Sequence, residues 1–107
     1  MTTNPIAIGF DWRQAFDFPE GFFQPGDQVR AEFRQYASDR LPLATAITRI
    51  EGARLFVELD EAQTSAMARL AKDAVVTNFV VDRGGDEIAI GVIVTVPVVL
   101  LPTRPRA

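Results

Sequence analysis

Ile6-Ala7-Ile8-Gly9-Phe10-Asp11-Trp12-Arg13-Gln14-Ala15-Phe16-Asp17-Phe18 places large apolar side chains at even positions and small or charged ones at odd positions, with Gln14 the exception on the even face. A period of two sends successive side chains to opposite faces of an extended backbone. The stretch therefore predicts half-buried β-structure over residues 5–18, as one strand or as a strand pair broken near Arg13 to Ala15.

The same period recurs downstream. Val29, Ala31 and Phe33 alternate with Arg30, Glu32 and Arg34, and Leu55, Val57 and Leu59 alternate with Arg54, Phe56 and Glu58. Residues 44–50 read as a further strand, joined to the second of these runs by a Glu51-Gly52 hairpin turn. Residues 75–82 and 87–96 flank Arg83-Gly84-Gly85-Asp86, and a Gly-Gly centre suits a two-residue hairpin because both positions accept positive φ. Pro25-Gly26 fits the two central positions of a type II turn. Phe22 and Phe23 lie between that turn and Pro19-Glu20-Gly21, which predicts that at least one of them folds back over the core. Residues 36–42 read as a loop.

Residues 60–70 break the alternation. Asp60 suits an N-cap, Glu61 sits where the helix dipole favours a carboxylate, and Ala62, Ala66, Met67 and Leu70 share helical spacing, so one short helix is expected. About seven short strands with one helical connection predict a mainly β chain, an antiparallel sandwich or barrel. In the final strand Ile93 and Val99 add apolar groups to the second face. Such an edge invites aggregation, so this strand is expected to be central in its sheet or covered by another chain. Residues 97–107 hold three prolines and two arginines and are expected to leave the sheet as an extended arm.

Length and composition bound the function. A chain of 107 residues with 48% apolar residues and eight Phe is expected to form one domain around a real core. The net charge is −3, with acids and arginines interspersed and Lys72 the sole lysine, so no basic tail for nucleic acid is present. The absence of Cys and His excludes disulfides, thiolate chemistry, His-based acid–base catalysis and the usual zinc sites. Residues 1–5 lack the basic region and apolar run of a signal peptide. The apolar stretch over residues 88–101 falls short of the ~20 residues of a membrane helix. A soluble protein made in the cytoplasm, with no membrane partner, is the expectation.

The remaining groups give little chemistry. Asp11 and Asp17 share a strand face, and Asp82, Asp86 and Glu87 flank the hairpin, but solvated strand and turn positions account for them without a matched acid–base pair. Their spacing fits no calcium loop. Serine and threonine hydroxyls have no histidine base, and Gly84-Gly85 lacks the helix start of a phosphate cradle. No catalytic residue, cofactor or metal site is expected. The arm residues Leu101, Pro102, Arg104 and Arg106 offer an extended, pre-ordered segment for a neighbouring subunit.

One resemblance sharpens this reading. Its frame is Asp11-Trp12, Phe16-Asp17-Phe18 and Val29-Arg30-Ala31-Glu32-Phe33-Arg34. Its body is the run from Ala46-Ile47-Thr48-Arg49-Ile50 through Glu51-Gly52-Ala53-Arg54-Leu55-Phe56-Val57-Glu58-Leu59 to Asp60-Glu61-Ala62-Gln63-Thr64-Ser65-Ala66-Met67. It closes with Phe79-Val80-Val81-Asp82 and Gly91-x-Ile93-x-Thr95-Val96-x-Val98. Together these resemble small phage and prophage virion proteins related to the N-terminal Ig-like domain of baseplate upper proteins, over about residues 10–98. The resemblance implies an antiparallel Ig-like β-sandwich and a structural, non-enzymatic role in the tail, baseplate or fibre region of a tailed bacteriophage. It implies a location in the virion after synthesis in the bacterial host cytoplasm. Its partners would be other virion proteins, through self-association or docking on a larger tail protein. On that reading the contacts fall on Phe22 and Phe23 and on Pro97, Val99, Leu101, Pro102, Arg104 and Arg106. Two other uses of such a block stay open: capsid decoration or neck protein, and a free carbohydrate- or peptide-binding module with Trp12 and Tyr36 as its platform.

Overall fold

The computed structural model describes residues 3–69 and 73–104; Leu70, Lys72 and Arg106 lie outside the described residues. The chain is mainly β, and its alternating first stretch divides between two sheets. Strands β1 (Ile6–Ala7) and β2 (Trp12–Asp17) are separated by a corner at residues 8–11, not by a break at Arg13 to Ala15. Gly9 turns that corner with φ 87°, a conformation open to a residue without Cβ. The buried Thr64 hydroxyl accepts from the Gly9 N–H at 3.1 Å and donates to the Phe10 carbonyl at 2.8 Å. A side chain from far along the chain thus satisfies the backbone that the corner frees.

Strands β3 (Gln28–Arg34), β4 (Ala44–Thr45), β5 (Ile47–Glu51), β6 (Arg54–Leu59), β7 (Ala74–Arg83) and β8 (Asp86–Val99) complete two sheets, ordered β1-β8-β7-β3-β4 and β2-β6-β5. The strand expected over residues 44–50 is two strands. Its first part pairs with β3, its second with β6, and the chain crosses between sheets at Ala46, whose N–H donates to the Ala31 carbonyl at 2.9 Å.

One core lies between the sheets, and rings pin them together. Trp12 meets Phe33 edge-on at 5.7 Å, and Phe16 meets Phe79 at 5.0 Å. Such aromatic pairs contribute about 0.5–1.5 kcal/mol each beyond the area they bury. Trp12 is 4% exposed and its Nε1 donates to the Asn4 carbonyl, so it belongs to the core and offers no stacking platform.

Asp60 caps helix α1 (Glu61–Ser65) in a reciprocal box with Gln63, and a 3₁₀ turn (Ala66–Arg69) follows. The buried face is Thr64 and Met67, while Ala62 and Ala66 are exposed. Met67 of the expected face is buried, whereas Ala62 and Ala66 are not, because alanines bury little area and the corner hydrogen bonds draw Thr64 inward. The Gly-Gly hairpin forms as expected, with φ 60° at Gly84 and 93° at Gly85.

Strand β8 runs past Pro97 to Val99, so the arm starts at Leu100 and not at Pro97. The reason lies in the alternation of backbone groups. The Val98 N–H donates to the Asp73 carbonyl on the β7 side, while the Val99 carbonyl accepts from Ile8 on the β1 side. The Pro97 nitrogen therefore faces away from β7, where a missing N–H breaks no ladder bond. Strand β1 pairs, in parallel, only with Val98 and Val99. Among the described residues, β8 is otherwise a free edge. Thr77 lies opposite Val94 but Phe79 opposite Ile90, so residues 91–93 bulge against Asn78. A bulge and a proline are two devices that discourage edge-to-edge pairing. Among the described residues, no helix is long and apolar enough to cross a membrane.

Candidate protein-interaction surface

Two groups of exposed large apolar side chains lie toward opposite ends of a molecule 42 Å long. At one end, the hairpin pole, the β7–β8 turn meets the loop of residues 18–27. Here Phe18 stacks on Phe22 at 4.9 Å and meets Phe23 edge-on at 5.1 Å, and Phe18 also touches Phe79 of the core. Phe23 packs against the core, whereas Phe22 keeps 37% of its surface exposed. Of the two loop phenylalanines, Phe22 is the one with surface to offer a partner.

Arg83 holds this loop in place. Its Nε and Nη2 donate to the two oxygens of Asp27 at 3.0 and 2.8 Å, and Nη2 also donates to the Phe22 carbonyl at 3.2 Å. A bidentate guanidinium–carboxylate pair fixes orientation as well as distance. The Asp27 side chain is 1% exposed, and the Arg83 hydrogen bonds, with the Gln24 N–H adding to them, hold its carboxyl below the ordinary value of 3.8. A depressed folded-state pKa contributes stability that is fully present above the unfolded value and is lost as pH falls through the folded one. Denaturant midpoints taken from about pH 5 to about pH 2 are expected to fall for the native chain more steeply than for Asp27→Asn, which starts lower and lacks this titration.

Beyond the loop, Phe22, Val81, Arg83, Ile88 and Ile90 line a groove of about 390 Å³. Asp86, Ile88 and Ile90 are two residues apart along β8 and so share the face that forms it. Ile88 is 43% exposed. The rim is acidic. Asp82, Asp86 and Glu87 are all exposed; Glu87 pairs with Arg30 at 3.1 Å and Asp82 accepts from the Gly85 N–H, while Asp86 has no ion pair among the described residues.

The other end, the arm pole, carries the rest of the expected contact residues. Val99 is half-buried beside β1, Pro97 is exposed on the outer sheet face, and Leu101, Pro102 and Arg104 are exposed beyond the strand, with Leu100 beside them. Arg106 lies outside the described residues. Arg104 makes no ion pair among the described residues. Phe22 and Phe23 thus lie at one end and Pro97, Val99, Leu101, Pro102 and Arg104 toward the other, with the length of β8 between them.

No family model, curated protein or solved structure matches this chain. Among the described residues, no group of three or more His, Cys, Asp and Glu is placed to hold a metal ion. Asp17 is taken up by Arg54, whose Nε donates to it at 2.7 Å. Two features of the surface escaped the sequence. Asp86 and Ile88 read there as turn and strand positions, and the pairing of Arg83 with Asp27 joins residues 56 apart with no local pattern to announce it. The one local signal was the apolar Ile88 directly beyond an acidic turn.

Proposed function

We propose that this chain is a structural protein of a tailed-bacteriophage particle, an Ig-like block that acts by docking onto other virion proteins in the tail, baseplate or fibre region. The observation that carries the docking role is the amount of large apolar side chain left exposed on one sandwich-like block: Phe22 and Ile88 at one end, Leu100 and Leu101 at the other, and Leu41, Ile47 and Ile93 besides. Apolar surface gathered in patches marks contact with a partner, where scattered single residues do not.

The strand order supports an immunoglobulin-like topology. In chain order the eight strands correspond to A, B, C, C′, D, E, F and G. The sheet β8-β7-β3-β4 then follows the G-F-C-C′ order and β2-β6-β5 the B-E-D order of that fold. Ring contacts across the core take the place of the inter-sheet disulfide of antibody domains. The virion setting rests on the resemblance of residues 10–98 and on nothing else. In that setting the fold supplies rigidity and spacing, and the poles supply attachment, with no chemistry at a reacting centre.

Immunogold labelling of intact particles, using antibody raised against this chain, tests the proposal. Gold confined to the tail or its tip is the expected result. Gold spread over the head would move the chain to a decoration or neck position, and unlabelled particles would remove the virion reading.

A further inference from the structure

We propose that two copies of this chain pair edge to edge, residues 86–90 of β8 lying antiparallel to the same residues of the second copy. The inference rests on the docking role proposed above and names one partner for it.

The first observation is an open edge in a molecule that covers its others. The carbonyls of Ala15 in β2, Val29 in β3 and Thr45 in β4 point away from the strands these residues pair with, toward a free edge. Each is taken up by a side chain. Gln14 donates to Ala15 at 3.1 Å, the Thr48 hydroxyl of β5 donates to Val29, and Gln63 donates to Thr45 at 2.7 Å. Acceptors that an added strand would need are thus occupied. Strand β8 has no such cover. Arg83 and Asp86 close the Gly84-Gly85 turn, so residues 86, 88 and 90 aim their backbone groups at β7. Residues 87 and 89 aim theirs outward. Strand β1 reaches only Val98 and Val99, and Asn4 just upstream is held at β2 by Gln14 and Trp12. Among the described residues, nothing bonds the outward backbone groups of Glu87 and Ala89. Asp86, Glu87, Ile88 and Ala89 are all exposed. The strand expected to be central in its sheet or covered by another chain is, over this stretch, a bare edge.

The second observation is self-complementarity. Residues 86–90 keep a regular register against β7, bounded by the turn at one end and the bulge at residues 91–93 at the other. The bulge and Pro97 discourage pairing along the rest of β8 and leave this stretch open. An antiparallel copy with Ile88 on the two-fold axis matches residues 86–90 to themselves, each turn falling opposite the other copy's bulge. Glu87 and Ala89 then exchange backbone hydrogen bonds with Ala89 and Glu87 of the second copy. Ile88, 43% exposed in the single chain, meets its own counterpart as a non-hydrogen-bonded pair with Ile90 alongside. Such cross-strand pairs of apolar, β-branched side chains stabilise a sheet. No acid faces an acid: Asp86 falls opposite Ile90, and Glu87, whose charge Arg30 meets at 3.1 Å, falls opposite Ala89. Each copy offers the same edge and occupies it, so the pairing is isologous and ends at a dimer.

Sedimentation velocity over a concentration series and disulfide trapping, both on the full chain, test this. The native chain is expected to pass from monomer to dimer as concentration rises and to go no further. Ala89→Pro removes an outward N–H and no bond to β7, as Pro97 already does further along the strand. It is expected to keep the fold and to weaken the dimer by about tenfold or more. Ile88→Lys sets a charge at the axis and is expected to weaken it as much. Ile88→Cys is expected to cross-link on mild oxidation, because its Cα atoms lie about 4.5 Å apart across the axis. Ala89→Cys, with Cα atoms about 8 Å apart, is expected to stay free. A native chain that stays monomeric would overturn the pairing. So would dimers that neither Ala89→Pro nor Ile88→Lys weakens, or cross-linking at Ala89→Cys and not at Ile88→Cys. A monomeric chain that still labels particles overturns this pairing and leaves the virion reading. Dimers with unlabelled particles support the pairing and overturn that reading.

Discussion

Phe79→Ala is expected to lower the free energy of unfolding by about 3–5 kcal/mol. Phe79 is 1% exposed in the middle of β7, opposite Ala31 on one side and Ile90 on the other. Its ring meets Phe16 of the opposing sheet at 5.0 Å and Phe18 at 6.3 Å, so it joins the inter-sheet core to the aromatic cluster beneath the groove. Truncation removes the transfer free energy of the ring and leaves a cavity that a two-sheet core closes poorly. Small domains have about 5–15 kcal/mol in all, so the variant should unfold at a far lower urea concentration with an unchanged slope. The consequence reaches the surface as well. Phe18 loses its floor, Phe22 and Phe23 lose theirs in turn, and the groove loses its wall. A stability loss below about 1 kcal/mol would mean that the rings do not pin the sheets as described.

Thr64→Val comes next, at about 2–3 kcal/mol. The exchange keeps the side-chain shape and removes one hydroxyl. That hydroxyl serves two backbone groups at the β1–β2 corner, accepting from Gly9 and donating to Phe10. The Gly9 N–H would be left buried and the Phe10 carbonyl half-buried without this partner, and an unmade buried hydrogen bond costs more than a made one contributes. Thr64→Ser keeps the hydroxyl and loses a methyl group, which costs about 1 kcal/mol. Equilibrium unfolding of the pair separates the two accounts. Valine harsher than serine supports the polar one; serine equal to or harsher than valine would make Thr64 an ordinary packing residue.

What could be read ahead of the structure was whatever is encoded within a few residues. The alternation at Val29, Ala31 and Phe33 and at Leu55, Val57 and Leu59 reports burial on one face, and those residues are buried as expected. The Gly-Gly turn and the Asp60 cap are local chemistry, and both form. The corner at Gly9 and the crossing at Ala46 could not be read in this way. An alternating run looks the same whether it stays in one sheet or passes to another, because both sheets face the same core. The deciding contacts come from Thr64, 55 residues beyond Gly9, and from the Ala31 carbonyl, in a different strand from Ala46. The surface followed the same rule. Composition marks out the arm residues, and its place between two turns marks out Phe22. The groove beside Phe22 needs Arg83 to meet Asp27 and Ile88 to meet Phe22, encounters that only the folded topology brings about.

Disulfide trapping tests the two-sheet account most directly, because the chain has no cysteine of its own. Arg13 and Glu58 stand directly opposite each other on neighbouring strands β2 and β6, so Arg13→Cys with Glu58→Cys is expected to close an intramolecular disulfide on mild oxidation. Arg13→Cys with Glu87→Cys places the two thiols on the outer faces of different sheets, about 10 Å or more apart, and is expected to leave both free. A bridge in the second pair, or none in the first, would contradict the account.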